Sequence, residues 1–202
     1  MRIDLHVHAS NRSACATDDE ETQIRAAMAA GLDGLAFTDH FKLVPELRLA
    51  ELRRAYAPFR IYCGVEITAG KEDWLVLGLH DPRLERKDWD YPTLWRFVRG
   101  QGGFMVLAHP FRYASIIHAD LALYPPDAIE SRSNNTPRQR EGEIGALAER
   151  YHLIQLTNSD AHSNGMIGAF WNDLPGQVAD DRELLETLHR LAVSENQTTP
   201  AD

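Results

Sequence analysis

Cysteine is scarce in this chain of 202 residues: only Cys15 and Cys63 occur. Two cysteines build no disulfide framework, and no Cys-X-X-Cys pair offers a structural zinc site. Long apolar runs are also lacking. No segment approaches the length of a membrane span. No apolar stretch near the start has the form of a signal peptide, because Asp4, His6 and His8 interrupt the first run. A cytoplasmic protein without membrane contact is expected. Positive charge is in deficit: 21 Lys and Arg face 30 Asp and Glu, a net charge of -9. That balance argues against a broad basic surface for nucleic acid. No internal repeat or low-complexity linker marks a boundary. Residues 1–193 are therefore expected to form one domain, and residues 194–202 a polar, frayed tail.

What is present is a normal globular composition, 44% hydrophobic and 25% charged, long enough for one sizeable core. Short apolar runs alternate with helical patterns. Strands are expected over 3–8, 35–37, 61–67, 74–79, 104–107, 127–130 and 153–156. Helices are expected from 17–20 to Gly31, over 45–57, 93–99 and 137–151, and from Arg182 to Val193. The acidic stretch Thr17-Asp18-Asp19-Glu20 suits a helix start. Such alternation favours a parallel sheet with crossover helices. Seven strand candidates favour a barrel over an open sheet, a distinction that periodicity alone does not make.

Polar groups recur where these strands end. The chain begins Asp4-Leu5-His6-Val7-His8. Thr38-Asp39-His40, Gly64-Val65-Glu66, Gly78-Leu79-His80 and Leu107-Ala108-His109-Pro110 follow, and Ser159-Asp160-Ala161-His162 comes last. A parallel barrel gathers its strand C-termini on one face. Side chains alternate along a strand, so His-X-His places both imidazoles on one side. Asp160-Ala161-His162 repeats that spacing, and the two oxygens of Glu66 can bridge ions. Imidazoles mixed with carboxylates suit zinc, manganese or iron better than calcium or magnesium. A strand-end histidine taken singly is more often a hydrogen-bonded residue than a ligand. Eight groups in this order outweigh that reading.

These motifs resemble the PHP family, named for polymerase and histidinol phosphatase, over residues 3–163. The resemblance implies an α/β fold, a distorted barrel of seven strand–helix units, with two or three divalent metal ions. It implies that His6, His8, Glu66 and Asp160 hold one ion. Glu66, His80 and His109 would hold a second, and His40 and His162 a third. The family often adds a ligand several residues after His-X-His. Here that position falls on Ser13 or Ala14, neither a good ligand, so Cys15 or Asp18 would have to substitute. Cys15 is read first as packing and second as a ligand. Cys63 is read as core, and His118, His152 and His189 as surface groups. Asp4 and Asp39 are expected to orient the neighbouring imidazoles.

The resemblance implies phosphoester hydrolysis of a small phosphorylated substrate. Clustered ions would acidify a bound water, and the resulting hydroxide would attack phosphorus. Asp160, His162 and Arg112 are the candidate catalytic residues. Arg112 follows His109-Pro110-Phe111 and could clamp a phosphate oxygen with two donors. Arg12, Lys42, Arg132 and Asn134 are further rim candidates. Three alternatives stay open: a nuclease acting on single-stranded ends, a non-catalytic regulatory module, and hydrolysis of another bond such as an amide. The acidic balance and the lack of a basic, aromatic stripe of the kind that single strands favour count against a nuclease. The oligomeric state is not legible.

Overall fold

The computed structural model describes the backbone of residues 1–198 and the side chains of residues 1–193. Eight strands form one mixed sheet: β1 (Arg2–Val7), β2 (Gly34–Phe37), β3 (Arg60–Ala69), β4 (Glu72–Leu77), β5 (Phe104–Leu107), β6 (Ala128–Arg132), β7 (Ile154–Thr157) and β8 (Asn172–Asp173). Their order is β7-β6-β5-β4-β3-β2-β1-β8. The sheet curls into a nearly closed barrel. A parallel bridge joins Val7 to Ala161 beyond β7, and His8 N donates to the Ala161 carbonyl at 2.9 Å.

Among the described residues, five α-helices accompany the sheet: α1 (Glu20–Ala29), α2 (Glu46–Ala55), α3 (Tyr91–Gly100), α4 (Glu141–Tyr151) and α5 (Asp181–Thr198). Asp19 caps α1 by accepting from Thr22 N at 2.7 Å, and Asp90 caps α3 by accepting from Thr93 N at 2.9 Å. Each such cap is worth about 1 kcal/mol. α5 starts one residue earlier than expected and runs past Val193 to Thr198. Of the expected tail, residues 199–202 lie outside the described residues.

Two apolar layers follow from strand alternation. Val7, Phe37, Ile61, Val65, Val76, Leu107 and Ile129 face the helices with Ile24, Leu49 and Leu94. Ile3, Leu5, Ala36, Tyr62, Leu75, Leu77, Phe104, Val106 and Ile154 fill the barrel, joined by Leu184 and Leu188 of α5. α5 thus closes one end of the barrel. The strand register of β1 shifts between Asp4 and Val7. Such a bulge re-aims a side chain, and here Leu5 and His6 both point inward.

The parallel expectation fails at one strand. β4 runs antiparallel to both β3 and β5. β3 and β4 form a hairpin whose turn holds Gly70 at φ +81°, a conformation that glycine adopts without strain. The distorted barrel is borne out, with one strand reversed and with the short β8, which the sequence reading did not include.

Candidate metal centre

The reversal of β4 decides which side chains meet. The C-termini of β1, β2, β3, β5, β6 and β7 share one face. The C-terminus of β4 lies at the other end, and its N-terminus joins the ligand face.

Four ligand atoms converge at the centre of that face. His6 Nε2 and His8 Nε2 are 3.0 Å apart. Glu66 Oε2 lies 3.4 Å from His6 Nε2 and 3.2 Å from His8 Nε2. Asp160 Oδ1 lies 3.3 Å and 3.2 Å from the same two atoms. A tetrahedral ion with bonds of about 2.0–2.1 Å spaces its ligands about 3.3 Å apart. All four residues are fully buried. Glu66 Oε2 and Asp160 Oδ1 have no hydrogen-bond partner. A buried carboxylate oxygen left so is costly, and a cation between these four atoms would satisfy both. The residues fit a divalent ion.

A second group comprises Glu66, Asp73 and His109. His109 Nε2 is 2.9 Å from Glu66 Oε1, so Glu66 faces both positions. His80 is a correction to the sequence reading. It stands beyond the C-terminus of β4, where its Nε2 meets Asp181 at 3.0 Å, and it joins none of the convergent groups. Asp73, at the other end of β4, stands opposite Thr68 of β3 and takes the place expected of His80. A two-residue, glycine-containing turn between strand-like segments was the signal for this reversal.

A third group comprises His8, Cys15, His40 and His162. His162 Nδ1 lies 3.0 Å from the Asp160 carbonyl. A carbonyl only accepts, so that ring's proton sits on Nδ1 and Nε2 keeps its lone pair. Asp18 is not part of the group, because its carboxylate accepts from Asn164 N at 2.7 Å.

The carboxylate that orients an imidazole is Glu130, a residue the sequence reading left unassigned. Glu130 Oε1 meets His6 Nδ1 at 3.0 Å and accepts from Asn158 Nδ2 at 2.9 Å. Its other oxygen accepts from His109 N at 2.9 Å. Only its place at the end of the sixth strand pointed to it. The expectation for Asp4 and Asp39 is corrected. Asp4 accepts from the backbone of His6 and Ser159. Asp39 braces the loop through Ala9 N, Ser13 Oγ and Arg12 Nε.

Backbone strain gathers here as well. Phe41, His109, Phe111 and Asp160 have φ of 53°, 24°, 65° and 49°. Non-glycine residues rarely adopt such values, and where they do the site is often functional.

The electrostatics reflect the crowding of charged groups at buried positions. Burial pushes His6 down, but Asp160, Glu130 and Glu66 outweigh it and hold the imidazole well above its ordinary value. Burial also opposes protonation of His8, while contacts with Asp160 and Glu66 raise it to about 9. Burial alone would raise Glu66 and Asp160; the imidazoles, His6 foremost, hold both below the ordinary carboxylate range. His40 and His162 are lowered, first by burial.

Among the rim candidates, Arg112 reaches the cluster: its Nη1 is 3.3 Å from Asp160 Oδ2, and its guanidinium lies over the Tyr113 ring. Asn135 Nδ2 donates to the same oxygen at 2.7 Å, a contact no sequence signal announced. Arg12 is engaged by Asp39 and Glu20, Lys42 by Glu85 and Arg132 by Glu141. Asn134 Nδ2 donates to the Ser159 carbonyl. Among the described residues, no helix is long and apolar enough to cross a membrane.

Comparison with known proteins places this geometry in context. A family profile described as PHP-associated matches residues 142–193. That stretch holds α4 but for its first residue, β7, the Asp160–His162 loop, β8 and most of α5. No curated protein matches. Several solved structures share the fold. A Bifidobacterium adolescentis protein, provisionally named a metal-dependent phosphoesterase, has a TM-score of 0.67 at 16% identity, over 93% of this chain and 96% of that one. An amidohydrolase from Chromobacterium violaceum, solved with sulfate and without metal, has a TM-score of 0.65 at 18% identity, over 93% and 97%. PsfC from Pseudomonas syringae has a TM-score of 0.66 at 21% identity, over 97% and 96%.

Proposed function

We propose that the chain is a PHP-type domain and a metal-dependent hydrolase of small phosphate esters or diesters, a reading supported by the PHP-associated match over residues 142–193 and by the shared fold. The observation that carries this reading is the pair of unpartnered buried oxygens, Glu66 Oε2 and Asp160 Oδ1, within 3.4 Å of two imidazole nitrogens and beside Arg112. His6, His8, Glu66 and Asp160 would hold one ion. Glu66, Asp73 and His109 would hold another. Zinc, manganese or iron suits this donor set. Divalent ions held there would supply Lewis-acid charge for a phosphoryl oxygen and would acidify water at neutral pH.

The chain's own residues do the rest. Glu130 fixes the His6 ring so that its proton sits on Nδ1 and Nε2 keeps its lone pair. Asn135 and Arg112 hold Asp160 from the open side. Arg112 is half-buried, so its guanidinium can serve the carboxylate and an incoming anion together. An anionic substrate suits a site with that cation at its mouth. The overall net charge of -9 works against long nucleic-acid substrates. One fold neighbour is named for phosphoester hydrolysis and another for amide-type hydrolysis, so a test must span both.

The test is a panel of phosphate monoesters, diesters, oligonucleotides and amides. It is run on protein stripped of metal and then given manganese, zinc or iron. Metal-dependent release of phosphate from small esters is expected, and Asp160→Ala and His8→Ala should abolish it while the fold survives. Turnover of amides alone, or unchanged turnover in both variants, would overturn the proposal.

A further inference from the structure

We infer that Cys15 is a thiolate ligand that joins His40 and His162 in a sulfur–nitrogen zinc site, different in metal preference from the carboxylate-rich positions beside it. The ligand atoms of His8, Cys15, His40 and His162 lie within 4.8 Å of one another. No carboxylate belongs to that group, whereas each of the other groups includes Glu66 or Asp160.

The local backbone explains why Cys15 is there. Ser13 and Thr17 flank it, and each is fastened to one of the two histidines. Ser13 Oγ accepts from His40 N at 3.1 Å. Thr17 N donates to the His162 carbonyl at 2.8 Å. The loop is closed at its base by Ser10 N donating to the Asp18 carbonyl at 2.9 Å. It is tied down by Arg12, whose guanidinium meets Asp39 and Glu20. Cys15 is thus held at the middle of a span pinned to both histidines. Asp18, the other candidate of that loop, is occupied by Asn164 N. The proton of His162 sits on Nδ1, which leaves Nε2 to ligate. Cys15 is exposed, so an ion reaches it from solvent. The other cysteine, Cys63, is buried.

Thiolate with imidazole selects zinc and related borderline-soft ions, and takes manganese poorly. On binding, the thiol proton passes to solvent and a sulfur–metal bond forms. The inference rests on metal binding by the cluster and not on the proposed phosphoester activity. Its readouts are independent of turnover.

The experiment follows Cys15 directly in the full chain. Protein stripped of metal is given saturating zinc or manganese and treated with iodoacetamide, and alkylation of the Cys15 peptide is followed by mass spectrometry. Zinc should slow alkylation by about tenfold or more, since a ligated sulfur is a poor nucleophile, and manganese should protect far less. Cys63 serves as the unreactive control. In parallel, cobalt titration should give a sulfur-to-cobalt charge-transfer band in the near ultraviolet. That band should be absent from Cys15→Ser. Equal alkylation rates with and without saturating zinc would overturn the inference, as would a cobalt band that survives Cys15→Ser. If that variant fails to fold, the alkylation of unmodified protein decides alone. Loss of the phosphoester reading would leave both readouts unchanged.

Discussion

Asp73 lies 3.8 Å from His109 Nε2, across the antiparallel β4–β5 pair. This contact replaces the one expected between His80 and His109. Asp73→Ala should therefore lose the ion proposed for Glu66 and His109, while His80→Gln keeps the full metal complement. Elemental analysis of both purified variants checks this. The His80 ring is 30% exposed against Asp181, so its loss should cost roughly 1 kcal/mol or less in stability. Metal loss in the His80 variant with retention in the Asp73 variant would restore the sequence-based assignment.

Glu130 supports two proposed ligands at once, through His6 Nδ1 and the His109 amide. Glu130→Gln keeps the shape and removes the charge. Partners of this kind typically contribute about 10–100-fold to metal affinity. Competition against a coloured chelator should show a loss in that range, with the circular dichroism spectrum unchanged. Unaltered affinity would reduce Glu130 to a packing residue.

The histidines set a pH dependence for protein stripped of metal. His8 is raised from 6.5 to about 9 in the folded state. A raised imidazole adds stability that is complete below its unfolded value, and loses it as pH climbs through the folded value. His6 and His109 are shifted in the same direction. Melting temperature in the presence of a chelator should therefore fall between pH 6.5 and 9. Asp4, which burial raises to about 6, acts below that window. Glu66 and Asp160 are held low, so their contribution is present above the ordinary carboxylate range and is lost on acidification. With zinc present the trend should reverse, because ligation requires neutral imidazoles. A chelated protein that grows more stable from pH 6.5 to 9 would contradict the charge assignment.

Arg112 is 29% exposed beside Asp160, so its charge is partly screened. Arg112→Ala should lower kcat/KM for the best phosphate ester by roughly tenfold or more, about 1.4 kcal/mol. Arg112→Lys should recover part of that, since an ammonium lacks the two-pronged geometry. Metal content should remain unchanged. Activity within threefold of the parent would leave Arg112 as a brace for Asp160 and nothing more.

The barrel and most of its ligand face were legible from the sequence. Apolar runs ending in His8, His40, Glu66, His109 and Asp160 carry local information, because alternation along a strand puts His-X-His on one side whatever the surroundings. Most helix spans were legible for the same reason, through apolar spacing and, for α1, the acidic start Thr17-Asp18-Asp19-Glu20. Cys63 lies in the core as expected, and Cys15 stands within the group of His8, His40 and His162, where packing was the first expectation and ligation the second.

The tertiary structure set the direction of β4, which the Gly70 turn signalled but did not fix, and with it the placing of Asp73 and not His80 beside Glu66 and His109. Both residues flank the same apolar run, and an apolar run has no polarity of its own. Only pairing with β3 through the Gly70 turn orients it. Glu130, Asn135 and Ser13 acquire their roles from partners 124, 25 and 27 positions away along the chain. Such contacts leave no local periodicity, because they arise only when closure of the barrel brings distant strand ends within hydrogen-bond reach.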